Sequence, residues 1–389
     1  MKVILSVDSV KFPLTGIGRY TYELAQQLQL QPSFELLLFA NGQIVRELPA
    51  HGSEEKDHTI KSNLTGLLKS RLRKSNIAVK TYQMINDIRS KSTLQLHEHS
   101  IFHGPNFYLP KFSGSSVATF HDLSVFTHSQ YHPSERVRFM KRELNFTLQR
   151  ASVLITDSEY TKRELANYFG YPLEKIHAIP LANSEQFKPR VRVESNAVLS
   201  KYGLSHGNYT LFAGTIEPRK NIDGLLDAFA LLPEATRQQY PLVLIGFHGW
   251  QSDKIHARIE NAVAAGWAYY FGYVSNDDIP YLFSGARLFV FPSHYEGFGL
   301  PVLEAMASGV PVVCSNTSSL PEVVGDAALM CESTDIDSLH QHIVRGVEDE
   351  HWRALAIQNG LNQSKQFSWQ RCAAETIAVY RSLNARNPS

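Results

Sequence analysis

Short apolar runs alternate with amphipathic segments along the first half of the chain. The apolar runs predict strands over residues 3–7, 35–39, 101–103, 116–120 and 152–156. Helical spacing of the apolar positions predicts helices that include residues 20–28 and 134–150. Strands and helices in this alternation favour a parallel sheet with helices on both faces.

The alternation pauses over residues 179–195 and then starts again. Pro180 and Pro189 stand there among polar residues that have no clear period, which is typical of a linker. New apolar runs follow at residues 209–214, 241–246, 268–271, 288–292 and 311–314. The last stretch of the chain, from Phe367 to Tyr380, again has helical spacing.

This pattern predicts an α/β fold of two Rossmann-like, doubly wound parallel-sheet domains that face an interdomain cleft. We assign residues 1–183 to the first domain, 184–196 to the linker, 197–366 to the second domain and 367–389 to a C-terminal helix. Sheets of this kind bind ligands at the carboxyl ends of their strands, so the cleft is the expected ligand site. A cleft between two domains can also close and exclude water.

Composition narrows the possible partners. The chain of 389 residues has 38 Lys and Arg against 37 Asp and Glu, a formal net charge of +1, so overall charge does not indicate a nucleic-acid partner. Its three cysteines show no metal-ligand spacing, which argues against a disulfide framework or a zinc site. The apolar start is too short for a signal peptide, and no run approaches the roughly 18 residues of a membrane span, so we expect a cytoplasmic protein.

The strongest chemical signal is a turn after the predicted strand at 288–291. It contains Gly297 and Gly299 and leads into a helix, whose N-terminus favours phosphate or a developing oxyanion. Glu296 stands at the strand end, where a carboxylate can bind sugar hydroxyls. Glu304 lies about one turn into the helix, where it can accept hydrogen bonds from a ribose. Either carboxylate alone is an ordinary surface group, but two of them around this turn indicate a ligand site.

Two adjacent cations, Arg219 and Lys220, follow the first strand of the second domain. At that position they can neutralise a diphosphate leaving group, as a bound Mg²⁺ does in some transferases. The alternative is a solvated basic pair. Asp335 and Asp337 form an Asp-x-Asp triplet that resembles a metal ligand set, but a helical pattern follows, so we interpret it as a helix cap and expect no catalytic metal.

A glycine-containing loop follows the first strand of the chain. Gly16, Gly18 and Arg19 form an incomplete dinucleotide fingerprint, because Thr21 stands where its third glycine belongs. The loop is either a plain tight turn or an approach to the donor phosphate from the first domain. The alternatives for Arg19 are that it faces the donor or that it faces the acceptor.

A second pair of polar residues, His121 and Asp122, ends another strand of the first domain. A lone histidine is usually structural, but its place at a strand end favours a ligand to the sugar. We expect Asp122 to orient a loop or the imidazole.

These segments together resemble the retaining glycosyltransferases of family 4. Glu296 to Glu304 resembles the E-x7-E signature of that family. Four further segments resemble it in the same order along the chain, namely residues 16–20, 121–122, 157–165 and 217–221. With the Gly-Asp-Ala-Ala sequence at residues 325–328, the pattern is similar to bacterial mannosyltransferases of O-antigen and related polysaccharide assembly.

The resemblance implies the GT-B architecture, with an acceptor-binding first domain, a nucleotide-sugar-binding second domain and a C-terminal helix that crosses back. It implies a retaining, metal-independent transfer of a hexose, with mannose from GDP-mannose the leading donor and no cofactor. A UDP-sugar donor, a GT-B-shaped sugar-nucleotide epimerase and a non-catalytic sugar-nucleotide-binding protein are the alternatives.

The resemblance also implies roles for individual residues. Glu296 and His121 contact the transferred sugar, Glu304 the ribose and Val274 the base. Arg219, Lys220, the backbone of Gly16 and the amides of Phe298, Gly299 and Leu300 meet the diphosphate. One departure is Thr215, because many relatives carry an arginine there, directly after the glycine that ends the strand.

The segment from Lys61 to Lys91 is strongly basic, with Asp87 as its single acid and leucines among its eight bases. Such a segment lies on an anionic membrane surface or forms a solvated helix face. The membrane alternative fits a lipid-linked glycan acceptor at the inner face of the plasma membrane.

Overall fold

Two parallel sheets organise the protein. The computed structural model describes residues 1–14, 16–32, 34–49 and 89–386. The segment predicted to contact membranes lies largely outside these residues. The predicted α/β class with two doubly wound sheets is confirmed.

The first sheet has seven strands in the order β3-β2-β1-β4-β5-β6-β7. They are β1 Lys2–Ser6, β2 Glu35–Ala40, β3 Gln43–Val45, β4 Ile101–Gly104, β5 Ser115–Phe120, β6 Val153–Thr156 and β7 Ile176–Ala178. All neighbours pair in parallel except β2 and β3. The accompanying helices are α1 Gly16–Gln29, α2 Ser124–Thr127, α3 Ser134–Arg150 and α4 Glu159–Phe169, and residues 89–95 are also helical.

The second sheet has six parallel strands in the order β10-β9-β8-β11-β12-β13. They are β8 Thr210–Ala213, β9 Leu242–Ile245, β10 Ala268–Tyr270, β11 Leu288–Phe291, β12 Val312–Ser315 and β13 Ala328–Cys331. Helices α5 Arg192–Leu199, α6 Ile222–Ala230, α7 Glu234–Gln239, α8 Asp253–Ala264, α9 Ile279–Ser284, α10 Leu300–Ala307, α11 Leu320–Val324, α12 Ile336–Glu348 and α13 Glu350–Ser364 accompany it. Helix α5 begins inside the stretch that the sequence predicts as linker.

The central strands form from continuous apolar runs because helices cover both of their faces. All four residues of β11 are buried, as are all four of β8 and β9. The strands that the sequence did not predict, β3, β7 and β13, all lie at sheet edges and are only partly buried. A strand that is only partly buried does not need a continuous run of apolar residues, so the hydrophobic pattern of the sequence does not indicate these strands.

The last helix of the chain, α14 Trp369–Arg386, packs against α1 and β4 of the first domain. The hydroxyl of Tyr380 lies 2.6 Å from Nδ1 of His103. The ring of Trp369 lies beside that of Tyr20, with centroids 6.4 Å apart. The chain therefore returns to the first domain after completing the second.

Asp335 accepts a hydrogen bond from the backbone N–H of Ser338 at 3.0 Å and so caps helix α12. This agrees with the helix-cap interpretation of the Asp-x-Asp triplet. All three cysteines are free and buried. Among the described helices, none combines the length and apolar character needed to cross a bilayer.

Candidate active site

A glycine-containing loop over residues 292–299 joins strand β11 to helix α10 and brings the second domain against the first. Gly299 has a φ of +118°, a conformation that favours glycine. Helix α10 then begins at Leu300, with Pro301 in its first turn. A Cβ on Gly297 would lie only 1.8 Å from the carbonyl oxygen of His121 in the first domain. The two domains therefore meet at this glycine.

Glu296 lies between the two cations that the sequence predicted. Its Oε1 accepts from Nζ of Lys220 at 2.6 Å, and its Oε2 accepts from Nη1 of Arg219 at 3.0 Å. Arg219 also donates to Oε1 of Glu217 at 2.6 Å. Burial raises the pKa of Glu296, but attraction to Arg219 and Lys220 outweighs it and lowers the pKa to about 2. Two buried carboxylates thus balance two buried cations within one domain.

Glu304 and Arg19 pair across the cleft. Nη1 of Arg19 lies 2.6 Å from Oε1 of Glu304, and both side chains are largely buried. Burial raises the pKa of Glu304 to about 7 even though Arg19 acts in the opposite direction. The structure therefore brings the predicted ribose ligand of the second domain together with the loop arginine of the first.

His121 has acceptors at both ring nitrogens. Its Nδ1 lies 2.8 Å from Oδ2 of Asp157, and its Nε2 lies 2.8 Å from the carbonyl oxygen of Pro105. Burial lowers the pKa of His121, but the Asp157 carboxylate more than offsets this and the pKa is raised. A carbonyl and a carboxylate both accept hydrogen bonds, so these neighbours favour the charged form of the ring.

Asp122 orients a loop and does not contact the imidazole. Its Oδ1 accepts from the backbone N–H of Ser124 at 3.0 Å and from the Ser124 hydroxyl at 2.8 Å. The residue that holds the imidazole is Asp157, which sequence reasoning assigned no role beyond membership of a motif. The sequence feature that could have indicated this pairing is the position of Asp157 directly after β6. Strand β6 pairs with β5, and His121 directly follows β5.

The remaining predicted residues lie along the same edge of the second sheet or at the start of α1. Val274 is buried in the loop after β10. In the sheet, β10 is three strands away from β11, which corresponds to about 14 Å between these two strands. The amides of Gly299 and Leu300 belong to the first turn of α10, where N–H groups have no partner within a helix. Gly16 is the first residue of α1, one turn before Arg19.

Sequence reasoning missed Tyr295, which is buried where the two domains meet. Its hydroxyl accepts a hydrogen bond from the backbone N–H of Leu123 at 3.0 Å and donates one to Oε2 of Glu164. No local pattern marks this tyrosine, because its partners come from the other domain.

The N-terminal turn of α4 carries further contacts between the domains. Ser158 and Thr161 donate from their hydroxyls to the carbonyl oxygen of Gly297, at 2.8 and 3.2 Å. The carboxylate of Glu322 accepts from the backbone N–H groups of Glu159 and Tyr160, at 2.9 and 2.6 Å. A carboxylate at a helix N-terminus is stabilised by the helix dipole, so α4 is a docking point for the second domain.

Comparisons with known proteins agree with this architecture. Residues 14–182 match the sequence model described as Glycosyltransferase Family 4, and residues 200–363 match that of Glycosyl transferases group 1. The chain is 44% identical over 384 residues to the O-antigen chain mannosyltransferase B of Escherichia coli, which spans 98% of this chain and 100% of that one. It is 30% identical over 240 residues to the MMP alpha-(1->4)-mannosyltransferase of Mycolicibacterium hassiacum, covering 60% of this chain and 54% of that one.

Solved structures share the fold. WaaG, a glycosyltransferase involved in lipopolysaccharide biosynthesis, superposes with a TM-score of 0.65 at 14% identity and full coverage of both chains. Anabaena Alr3699/HepE in complex with UDP has a TM-score of 0.68 at 18% identity, covering 98% of this chain and 100% of that one. The GT-B fold implied by the sequence resemblance is confirmed.

Proposed function

The chain belongs to the family 4 glycosyltransferases and is an enzyme of that class, and on that premise we propose that it transfers mannose from GDP-mannose to a glycan acceptor. We propose retention of configuration, no cofactor and no metal. The names of relatives support the sugar, since the E. coli protein is called an O-antigen chain mannosyltransferase. The observation that carries the proposal is Glu296 held between Arg219 and Lys220 beside the N-terminus of α10.

In this mechanism the donor diphosphate lies against the first-turn amides of α10, where the helix dipole favours negative charge. Arg219 and Lys220 turn from Glu296 towards the phosphates and stabilise the charge that develops on the leaving group. Glu296, released from one or both cations, accepts hydrogen bonds from the sugar hydroxyls.

The acceptor attacks from the face that the diphosphate leaves, and a donor phosphate oxygen takes its proton. The sequence resemblance assigns no site residue the role of a nucleophile, so a covalent sugar-enzyme intermediate is not part of the proposal. The backbone carbonyl of His121 lies against Gly297, and in this proposal the imidazole, paired with Asp157, lies on the first-domain side of the reacting sugar.

A nucleotide panel tests the donor. We expect GDP and GDP-mannose to raise the melting temperature more than UDP, ADP or their sugars, because a ligand that binds the folded state stabilises it. We expect GDP-mannose turnover to persist in EDTA, and NMR of the product to show an α-linkage. A preferential UDP shift would select the UDP-sugar alternative. Conversion of the donor into an epimeric sugar nucleotide, without acceptor and without net release of nucleotide, would select the epimerase.

We propose further that the acceptor is lipid-linked and that the enzyme contacts the inner face of the plasma membrane. In addition to the basic segment 61–91, α3 exposes Phe139 and Phe146 on one face, with Arg142 between them. Exposed aromatic rings among cations suit an anionic lipid surface.

Sedimentation with phosphatidylglycerol vesicles tests this contact. We expect the triple charge reversal R71E/R73E/K74E to reduce the vesicle-bound fraction while GDP binding stays unchanged. Equal sedimentation of the altered and unaltered proteins would contradict the membrane contact through this segment.

A further inference from the structure

The first domain has an open cleft between helices α2 and α4, and, resting on the proposed function, we propose that it binds the acceptor glycan. The cleft has a volume of about 480 Å³. It is lined by Thr127, Tyr160, Arg163, Glu164, Asn167 and Tyr168. None of these residues belongs to the predicted donor site.

The lining has the chemistry that recognises a neutral carbohydrate. Tyr168 is 47% exposed and offers an aromatic face, held by ring contacts with Phe126 at 5.5 Å and Phe169 at 4.8 Å. Aromatic rings of this kind pack against the apolar faces of sugar rings while polar groups around them fix the orientation of the ligand.

The polar groups of the lining are mixed in type and balanced in charge. Glu164 accepts hydrogen bonds, Arg163 donates them, and the amide of Asn167 does both. One acidic and one basic side chain leave the cleft without net charge, and Arg163 lies 3.4 Å from the carboxylate of Glu322 as well. A ligand rich in hydroxyl groups and without charge fits this lining better than a phosphate or an acidic chain.

The wall of the cleft is connected to the predicted sugar site through the buried side chain of Tyr295. Glu164, in its wall, accepts the hydrogen bond of the Tyr295 hydroxyl, and Tyr295 directly precedes Glu296 in the chain. The same hydroxyl receives the backbone N–H of Leu123, which follows the His121-Asp122 pair. The ring of Tyr160 also meets that of Tyr295, with centroids 6.1 Å apart. The cleft therefore adjoins the segment that carries Glu296, and the proposal places the reactive end of the glycan on that side.

Kinetics with acceptors of two lengths test this assignment. The probes are methyl α-mannotrioside and methyl α-mannoside, each with GDP-mannose as the donor. We expect Tyr168→Ala to raise the KM of the trisaccharide about tenfold, the change expected for losing one aromatic contact. Asn167→Ala should raise it by a smaller factor. The KM of the monosaccharide and the affinity for GDP should stay unchanged, because neither involves the cleft.

A matched control is Tyr269→Ala, which removes a tyrosine of similar exposure, 39%, from the edge strand β10 of the second domain. It should leave the trisaccharide KM unchanged. A KM can be measured only if the enzyme accepts the trisaccharide as a substrate. Binding of the trisaccharide to the unaltered enzyme in the presence of GDP is therefore also measured directly, by NMR titration. Asn167 is exposed, so its variant keeps the test valid if Tyr168→Ala fails to fold.

An unchanged trisaccharide KM in both cleft variants would overturn the proposal, and so would an equal loss of GDP affinity. The absence of trisaccharide binding to the unaltered enzyme would also overturn it. Failure of the proposed function gives a different result, because the unaltered enzyme would then neither bind GDP preferentially nor transfer mannose.

Discussion

The two walls of the interdomain cleft balance their charges in different ways. In the second domain, Glu296 and Glu217 are paired with Arg219 and Lys220, so the cluster is complete within that domain. A second ion pair joins the two walls, because Arg19 belongs to the first domain and its partner Glu304 to the second. The cluster around Glu296 needs only residues of the second domain, whereas the Arg19–Glu304 pair exists only when the two domains are in contact. Variants in the first should therefore affect chemistry, and variants in the second should affect closure.

The largest effect is expected from the double substitution Arg219→Ala and Lys220→Ala. It removes both cations from the diphosphate and leaves Glu296 buried without a partner, so kcat/KM should fall by at least about a thousandfold. Turnover of GDP-mannose measures this. Arg219→Lys keeps the charge but loses the second hydrogen bond, so it should retain more activity. Full turnover of the double variant would refute the proposed handling of the leaving group.

The next largest effect is expected from Asp157→Asn, which leaves a buried imidazole without its carboxylate. Breaking a buried charged pair on one side typically destabilises a protein by about 3 kcal/mol. Because Asp157 contributes to raising the pKa of His121, the stability from this pair is present at low pH and is lost as the pH rises through that raised pKa. The variant should lack this part of the pH dependence.

Urea denaturation at several pH values measures the stability change, and NMR titration of the imidazole measures its pKa. The control is Asp122→Asn, since Asp122 hydrogen-bonds Ser124 and raises the pKa of His121 less than Asp157 does, so this variant should shift that pKa by a smaller amount. An unshifted imidazole pKa in Asp157→Asn would contradict the assigned pairing.

A smaller effect, on stability and on GDP affinity, is expected when the pH is changed across the pKa of Glu304. Its folded pKa of about 7 exceeds its ordinary value of 4.5, so the protonated carboxyl stabilises the fold below pH 4.5 and this contribution is lost as the pH rises through 7. The ionised carboxylate is the form that accepts from a ribose, so GDP affinity should rise about tenfold over the same range. Calorimetric GDP titrations check this, and Glu304→Gln should show neither dependence.

The smallest effect is expected from Glu322→Gln at the N-terminus of α4. The amide keeps hydrogen-bonding capacity but loses the charge that interacts with the helix dipole, about 1 kcal/mol for a partly exposed group. Small-angle scattering should show a more open average separation of the domains, with kcat/KM changed less than fivefold, a range of about 1 kcal/mol. Glu332→Gln is the matched control, because the Glu332 carboxylate accepts a hydrogen bond from Asn316 within the second domain. Identical scattering of the two variants would contradict a role for α4 in closure.

The sequence predicted the central strands and the turn around Glu296 because both leave local patterns. A strand covered on both faces must be apolar throughout, as β8 and β11 are. A turn that lets backbone approach backbone must contain glycine, as Gly297 does against His121. The edge strands β3, β7 and β13 lack such a requirement and were not predicted.

The partnerships of individual side chains could not be predicted in the same way. Asp157 pairs with His121 because their strands are neighbours in the sheet, and Tyr295 reaches Glu164 because the domains meet there. Both depend on the three-dimensional arrangement, which no spacing along the chain encodes. The roles of the site residues in catalysis stay predictions that the variants above address.

The return of helix α14 to the first domain means that the chain passes between the two domains twice. One passage lies between β7 and α5, over residues 179–191, and the other lies between α13 and α14, over residues 365–368. A body attached at two separate points turns most easily about the line that joins them. We therefore expect the enzyme to open by rotation about these two passages, with small changes in φ and ψ at either one setting how wide the gap becomes.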